Sequence, residues 1–358
     1  MSNQVTVLVS NTPIPSNRIG SWVTRINTLI KNHDCFDYIL SPSNTLPKNI
    51  FCKKRKFISY HKWIRKKVLF NWVAKDYLRT LSKLSEEHSA ITVVVMDDPH
   101  LIEAIALKKA KFKGQLKIIF SFHGFQLKLR QEIVAAIDKV LFLSKAGRDK
   151  SIANYVEFSP KTEVVWNGVD SSLFYPLEDM KRTTMRNKLG FTKDHLILAW
   201  MANDRPLKGF HLFRKMVLEL LSKYDYLKVI TMGTQQKIDH PSVLNVGRLP
   251  HGEIPNYLQL TDIYAFTSLY EEGFGLSMIE ALKCGNIVIA SSLGAIPNVL
   301  SGLARCYFVN DPYSSDEWIA RTASVINNFS GNRISISEAD DIWNYRDWQV
   351  RFISAIIN

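Results

Sequence analysis

Two glutamates, Glu272 and Glu280, stand on either side of Gly273-Phe274-Gly275-Leu276. Met278, Ile279, Ala281 and Leu282 follow at helical spacing, so Gly273 and Gly275 fall in the turn that opens a helix. A helix start offers unpaired N–H groups and a partial positive charge, both suited to a phosphate. Glycine there lets the backbone approach a ligand closely. Glu280, just inside the helix, is placed to accept hydrogen bonds from two neighbouring hydroxyls, such as a ribose diol. Glu272, on the loop, is placed to meet the other end of a diphosphate-linked ligand. Two acids flanking an anion-binding helix start point to a nucleotide-sugar site.

The elements that must position this stretch can be read in both directions. Asp262-Ile-Tyr-Ala-Phe-Thr267 is a short buried strand leading into it. Compact apolar runs at Val5–Val9, Ile91–Met96, Leu116–Phe120, Lys139–Leu143, Leu196–Met201, Leu227–Met232 and Leu244–Leu249 predict further buried strands. Helical spacing recurs between them, as at Trp22, Val23, Ile26, Leu29 and Ile30. Alternating strands and helices predict an α/β chain with parallel sheets and right-handed crossovers. In such sheets ligands gather where loops leave the C-terminal ends of the strands. Those ends carry polar clusters: the Ser10–Gly20 loop with Arg18, then Asp97-Asp98-Pro99-His100, then Ser121-Phe-His123-Gly124.

Glu272-Gly-Phe-Gly-Leu-Ser-Met-Ile-Glu280 resembles the Glu-x7-Glu motif of the family 4 type retaining glycosyltransferases (group 1) with a GT-B fold. The continuation Glu280-Ala-Leu-Lys-Cys-Gly-Asn-Ile-Val-Ile-Ala-Ser291 and the turn Ser292-Leu-Gly-Ala-Ile-Pro297 extend the match. So do Lys139–Ser144 and Val164-Val-Trp-Asn-Gly-Val-Asp-Ser-Ser-Leu-Phe-Tyr-Pro176, whose Asp170 is expected to brace a turn. The resemblance covers about 91–350 and is most specific between 260 and 300.

That resemblance implies two Rossmann-like domains facing across a cleft. The first, 1–176, would bind the acceptor, and the second, 177–340, the nucleotide sugar. The polar stretch from Asp179 to Arg186 would link them, and a last helix, 341–358, would cross back to the first domain. It implies that Lys208, followed by Gly209, stabilises the leaving diphosphate. The family's usual second cation, six residues earlier, is replaced by Ala202, with Arg205 the nearest arginine. Gly247 and Arg248 fall where the family holds the nucleobase. Glu272 and the Gly273–Gly275 backbone, with Phe274 and Leu276, would position the sugar, and Glu280 the ribose. His123 would face the sugar from the first domain. Arg18, Gly20, Asp97 and Asp98 are candidates for the acceptor.

The implied activity is retaining transfer of a hexose-type sugar from a nucleotide diphosphate sugar, UDP before GDP, to a surface glycan or glycolipid. No residue reads as the carboxylate nucleophile of a two-step retaining mechanism. Attack on the leaving-group face, with the phosphate taking the acceptor proton, fits better. Asp97-Asp98 and Asp340-Asp341 do not read as a metal motif, so no metal and no cofactor beyond the donor are expected.

Composition is that of a globular chain long enough for two domains: 358 residues, 46% hydrophobic and 22% charged. Four cysteines without a C-x-x-C pair fit a reducing cytoplasm. Neither a signal-peptide pattern nor a run of ~20 apolar residues is present. A net charge of +13 calls for an anionic partner. Lys53, Lys54, Arg55, Lys56, Lys62, Arg65, Lys66 and Lys67 alternate with Phe57, Ile58, Tyr60, Trp63 and Ile64. This basic amphipathic pattern suits peripheral contact with an anionic membrane, an anionic acceptor, or a solvated face over a core. Nucleic acid is disfavoured by the acidic central motif. Two further readings stay open: a catalytically silent nucleotide-sugar or glycan binder, and a nucleotide-sugar epimerase on the same scaffold.

Overall fold

The structure, a computed structural model, describes residues 4–16, 21–55 and 70–358. The chain divides into two compact units, one of residues 1–166 with 349–358 and one of residues 167–348. Each is a separate parallel sheet flanked by helices.

The first sheet has seven strands: β1 (Gln4–Val9), β2 (Tyr38–Ser41), β3 (Asn49–Phe51), β4 (Ala90–Met96), β5 (Gln115–Ser121), β6 (Lys139–Phe142) and β7 (Lys161–Val164). Their order is β3-β2-β1-β4-β5-β6-β7. β4 lies at its heart, paired with β1 from Val5↔Ile91 to Val9↔Val95 and with β5 on its other side. Six of its seven residues are buried, as expected of a strand covered by helices on both faces.

The second sheet has six strands: β8 (Leu196–Met201), β9 (Leu227–Met232), β10 (Val243–Gly247), β11 (Ile263–Phe266), β12 (Ile287–Ser291) and β13 (Cys306–Val309). Their order is β10-β9-β8-β11-β12-β13. In each sheet the order reverses once, between β1 and β4 and between β8 and β11. At such a switch point the loops diverge and leave a crevice at the strand C-termini. The Glu272 stretch follows β11, and Lys208 lies on the loop after β8.

The stretch from Asp179 to Arg186 is not a free linker. It lies in a helix, Asp179–Lys188, anchored to the second unit. Arg182 and Arg186 donate to the two oxygens of buried Asp262 at 2.6 and 2.5 Å, and both also bond backbone carbonyls of 259–261 or 195. The unit break falls before Asn167 rather than after Pro176. Val169 pairs with Asn344 in an isolated parallel bridge, which ties this segment to the second unit. Asp170 braces the turn by accepting from the Ser172 N–H and hydroxyl. The last helix, Tyr345–Ile357, starts in the second unit and ends in the first. There Lys139 donates to the Ala355 carbonyl at 2.8 Å and Arg351 to the Val165 carbonyl at 3.2 Å.

Candidate functional site

In the second unit the site is built outward from the core. Trp200, near the end of β8, is buried between the rings of Phe210 and Phe213, at 5.0 and 5.9 Å. Its indole N–H has to find a partner in that setting, and donates to the Thr267 hydroxyl at 2.8 Å. Thr267, just past β11, in turn donates to the carbonyls of Lys208 and Gly209 at 3.0 and 3.1 Å. Gly209 is left-handed (φ 74°), and a Cβ there would sit 2.0 Å from the Thr267 carbonyl oxygen. Only glycine lets these two loops approach so closely. The Leu269 N–H bonds the Leu207 carbonyl at 2.7 Å and completes the seam.

This seam presents Lys208 to Glu272. The ammonium and the carboxylate form a hydrogen-bonded ion pair, with side chains 22% and 15% exposed. Ser268 donates to the same oxygen, Glu272 Oε1, at 2.8 Å. An ammonium has three N–H donors and a carboxylate two oxygens. Among the described residues Lys208 therefore keeps donors for a further anion, and Glu272 keeps Oε2 as a further acceptor.

Gly275 follows in the left-handed region (φ 82°) and starts the Leu276–Lys283 helix, which no side chain caps. Glu280 is buried in that helix, where His251 Nε2 meets its Oε1 at 3.0 Å. The hydrogen bond to Glu280 raises the His251 pKa against the opposing effect of burial. Tyr264 donates to the Met201 carbonyl and shares a hydrogen bond with Ser277 at the helix start. The Phe274 ring is not open to a ligand: it is 2% exposed and packs edge-on against Trp343 at 5.5 Å.

Arg205 precedes the Pro206–Lys208 turn with an exposed side chain, and its N–H bonds Asn203. Arg248 is held by Asp204 at 2.7 Å. Asp204 also accepts from the Thr234 hydroxyl and the Gln235 N–H, at 2.5 and 2.8 Å. One carboxylate thus ties the loops after β8, β9 and β10, and its partners hold its pKa down at about 2. Gly247 ends β10 in the left-handed region, with open space where a Cβ would be.

The first unit groups a second set around β4 and β5. Asp97 has an unusual positive φ of 40°, and its Oδ1 accepts the His123 N–H at 2.9 Å. Burial, aided by neighbouring Asp98, pushes its pKa up to about 6. His123 Nε2 meets the Ser121 hydroxyl at 3.0 Å, and its ring lies 5.7 Å edge-on from Trp22. Burial and the Arg25 charge push its pKa down to about 3, so it is a neutral imidazole near pH 7. Its Nδ1 is buried, with no hydrogen-bond partner among the described residues.

Asp98 has another occupation. It caps the Pro99–Ala106 helix, accepting from the His100 and Leu101 N–H groups, and pairs with Lys54 at 2.8 Å. Most of its hydrogen-bonding capacity thus goes to the helix cap and to Lys54. Arg18 and Gly20, and the basic segment beyond Arg55, lie outside the described residues. Within it, Lys54 is committed to Asp98, and Arg55 to Asp76 and the Trp72 ring. Among the described residues no cluster of His, Cys, Asp and Glu is arranged to hold a metal ion, and no helix is long and apolar enough to cross a membrane.

His251, Asp204 and Ser268 also lie here, and the sequence alone does not single them out. Each sits in a polar loop, with no motif spacing to mark it.

Residues 181–339 match the family model described as glycosyl transferases group 1. The phosphatidylinositol N-acetylglucosaminyltransferase GPI3 subunit of Saccharomyces cerevisiae is 25% identical over 225 residues, 59% of this chain and 48% of that protein. The chain spans about half the length of the curated relatives it matches. Among solved structures, sucrose-phosphate synthase from Thermosynechococcus elongatus superposes with a TM-score of 0.74 at 14% identity, covering 98% of this chain and 97% of that one. HepE of Anabaena, solved with UDP-glucose, gives 0.71 at 14% identity over 98% of both chains. The fold is that of the GT-B glycosyltransferases.

Proposed function

We infer, from a second unit that carries a group 1 glycosyltransferase region, that this chain moves a hexose-type sugar from a nucleoside diphosphate sugar to a hydroxyl of a glycan or glycolipid. The observation that carries the reading is the β8/β11 switch point. There Lys208, Glu272 and the uncapped helix start at Gly275 converge, with Glu280 in the same helix. Lys208 and the helix N–H groups neutralise the diphosphate, Glu280 receives the ribose, and Glu272 Oε2 receives the sugar. Arg205, whose side chain is exposed, is the second cation on the same loop, in place of the absent arginine at Ala202. UDP is the preferred nucleotide, GDP the next; the UDP-glucose bound to HepE supports that order.

Transfer proceeds with retention. The bond from the anomeric carbon to the diphosphate breaks as the acceptor oxygen bonds that carbon on the same face. The acceptor proton passes to the leaving phosphate oxygen. Lys208 stabilises the charge that develops there, which is where a fixed cation gains most. His123, neutral at working pH, acts as a hydrogen-bond partner for the sugar rather than as a cation. Asp97, with one oxygen on the His123 backbone, orients the acceptor. No metal ion takes part.

The acceptor is membrane-associated, and the enzyme works at the cytoplasmic face. The support is the charge of the first unit: 28 lysines and arginines against 13 aspartates and glutamates. Each basic residue near an anionic leaflet is worth about 1 kcal/mol.

A thermal-shift series with UDP, GDP, ADP and their sugar conjugates, with and without EDTA, tests the donor assignment. Binding to the folded state raises the melting temperature by mass action. One nucleotide should do so irrespective of EDTA. No shift with any of them rejects the assignment and favours a silent scaffold, the reading that Ala202 supports.

A further inference from the structure

Glu280 is 6% exposed on a helix, and its side chain has several rotatable bonds. To receive two vicinal hydroxyls its carboxylate plane must be fixed before they arrive. Among the described residues one side chain bonds that carboxylate, the His251 ring, at 3.0 Å. His251 comes from a different element, the His251–Glu253 turn after β10. Its ring is held in turn by Phe174, edge-on at 5.4 Å. Phe174 is 1% exposed and belongs to the turn that Asp170 braces. The contact is thus a supported one rather than a chance meeting of two surface groups.

We propose that His251 is the positioning residue that orients Glu280 for the ribose of the nucleotide. This rests on the donor reading above and adds to it. Recognition of the ribose is shared between the helix after β11 and the loop after β10. The chemistry permits it: Glu280 Oε1 retains a second lone pair beside the His251 bond, and Oε2 retains both. The charges that face His251 are Glu280, from the helix, and Asp170, from the loop before Phe174. Both favour its protonated form, in which the bond to Glu280 is charge-assisted and shorter-ranged in its geometry. The site selects ribonucleotides over 2′-deoxyribonucleotides whatever their base.

Calorimetric titration of the full chain with UDP and 2′-deoxy-UDP tests this (or with the GDP or ADP pair, should one of those be the nucleotide bound). The wild type should prefer the ribonucleotide by roughly tenfold, the size of one hydrogen bond to a charged group. His251→Ala should lose most of that preference, and His251→Gln, whose amide still donates, should regain it. Equal weakening of both nucleotides in His251→Ala would overturn the proposal, because a merely structural role moves both alike. In the ligand-free protein, Glu280→Gln should lower the His251 pKa seen by NMR titration. An unchanged titration would show that the pair is absent in solution and would equally overturn it. A wild type that binds none of the three nucleotides would instead reject the donor reading itself, and this inference with it.

Discussion

The two units handle charge in opposite ways. The first carries 28 basic and 13 acidic side chains, a formal excess of 15, while the second carries 18 basic and 20 acidic. The whole net charge of the protein therefore belongs to one half. In the second unit three basic side chains at the strand ends each meet a carboxylate: Lys208 with Glu272, Arg248 with Asp204, His251 with Glu280. In the first, the groups around the switch point are driven toward neutrality instead, Asp97 up to about 6 and His123 down to about 3. A small charged ligand is best held by local, oriented pairs. A surface or a long anionic acceptor responds to summed charge spread over a face. The contrast fits a precise donor half and a diffuse acceptor half.

The largest effect expected is at the donor pair. Lys208→Ala should lower kcat by about 10²–10³, the size of a lost transition-state donor, in a donor-turnover assay with saturating acceptor. A loss below tenfold would mean that the pair with Glu272 is structural, and the contrast between the halves would lose its functional sense.

Next comes the seam that holds Lys208. Gly209→Ala combines a positive φ with a 2.0 Å approach to a backbone oxygen. It should destabilise the protein by at least about 2 kcal/mol in urea unfolding. A near-neutral result would show that the two loops are free to part.

In the first unit the sign should reverse. The folded pKa of Asp97 lies above the ordinary carboxylate value. Its stabilising contribution is therefore complete below about pH 4 and lost as the pH rises through about 6. Asp97→Asn removes that loss while still accepting the His123 N–H. It should gain about 2 kcal/mol at pH 8 and little at pH 4. Asp204→Asn should instead be destabilising at pH 8, because Asp204 is stabilised as a charge. Melting curves of the two variants at both pH values decide this, and a destabilised Asp97→Asn at pH 8 would erase the contrast.

The smallest effect is ionic. Sedimentation with anionic vesicles should weaken steeply between low and physiological salt as surface charges are screened, and neutral vesicles should not bind. Retention on neutral vesicles would assign the contact to apolar surface.

Much of the fold was legible because buried parallel strands are written as unbroken apolar runs. Val5–Val9, Ile91–Met96, Leu196–Met201 and Leu227–Met232 each emerged within one residue of their structural bounds. β2, β3, β7, β12 and β13 did not emerge. All but β12 have three or four residues, and β3, β7 and β13 are sheet edges whose partly exposed faces dilute the signal. The helix at Asp179–Lys188 reads as a polar linker because its arginines are buried against a carboxylate and carbonyls, which hydrophobic periodicity cannot register.

By itself the sequence determined the strand–helix alternation, the glycine turn between Glu272 and Glu280, and the segregation of positive charge into the first half. These are local or additive properties, carried by neighbouring residues or by simple counting. Only the tertiary structure decided that Lys208 bonds Glu272 and that His251 reaches Glu280. It alone decided that Asp204 binds three loops, that Asp98 is spent on a helix cap, and that Asp97 and His123 sit where charge is costly. Those outcomes depend on strand order, which brings residues distant in the chain to one switch point. They depend too on burial, which sets the cost of a charge through surroundings that no residue specifies alone.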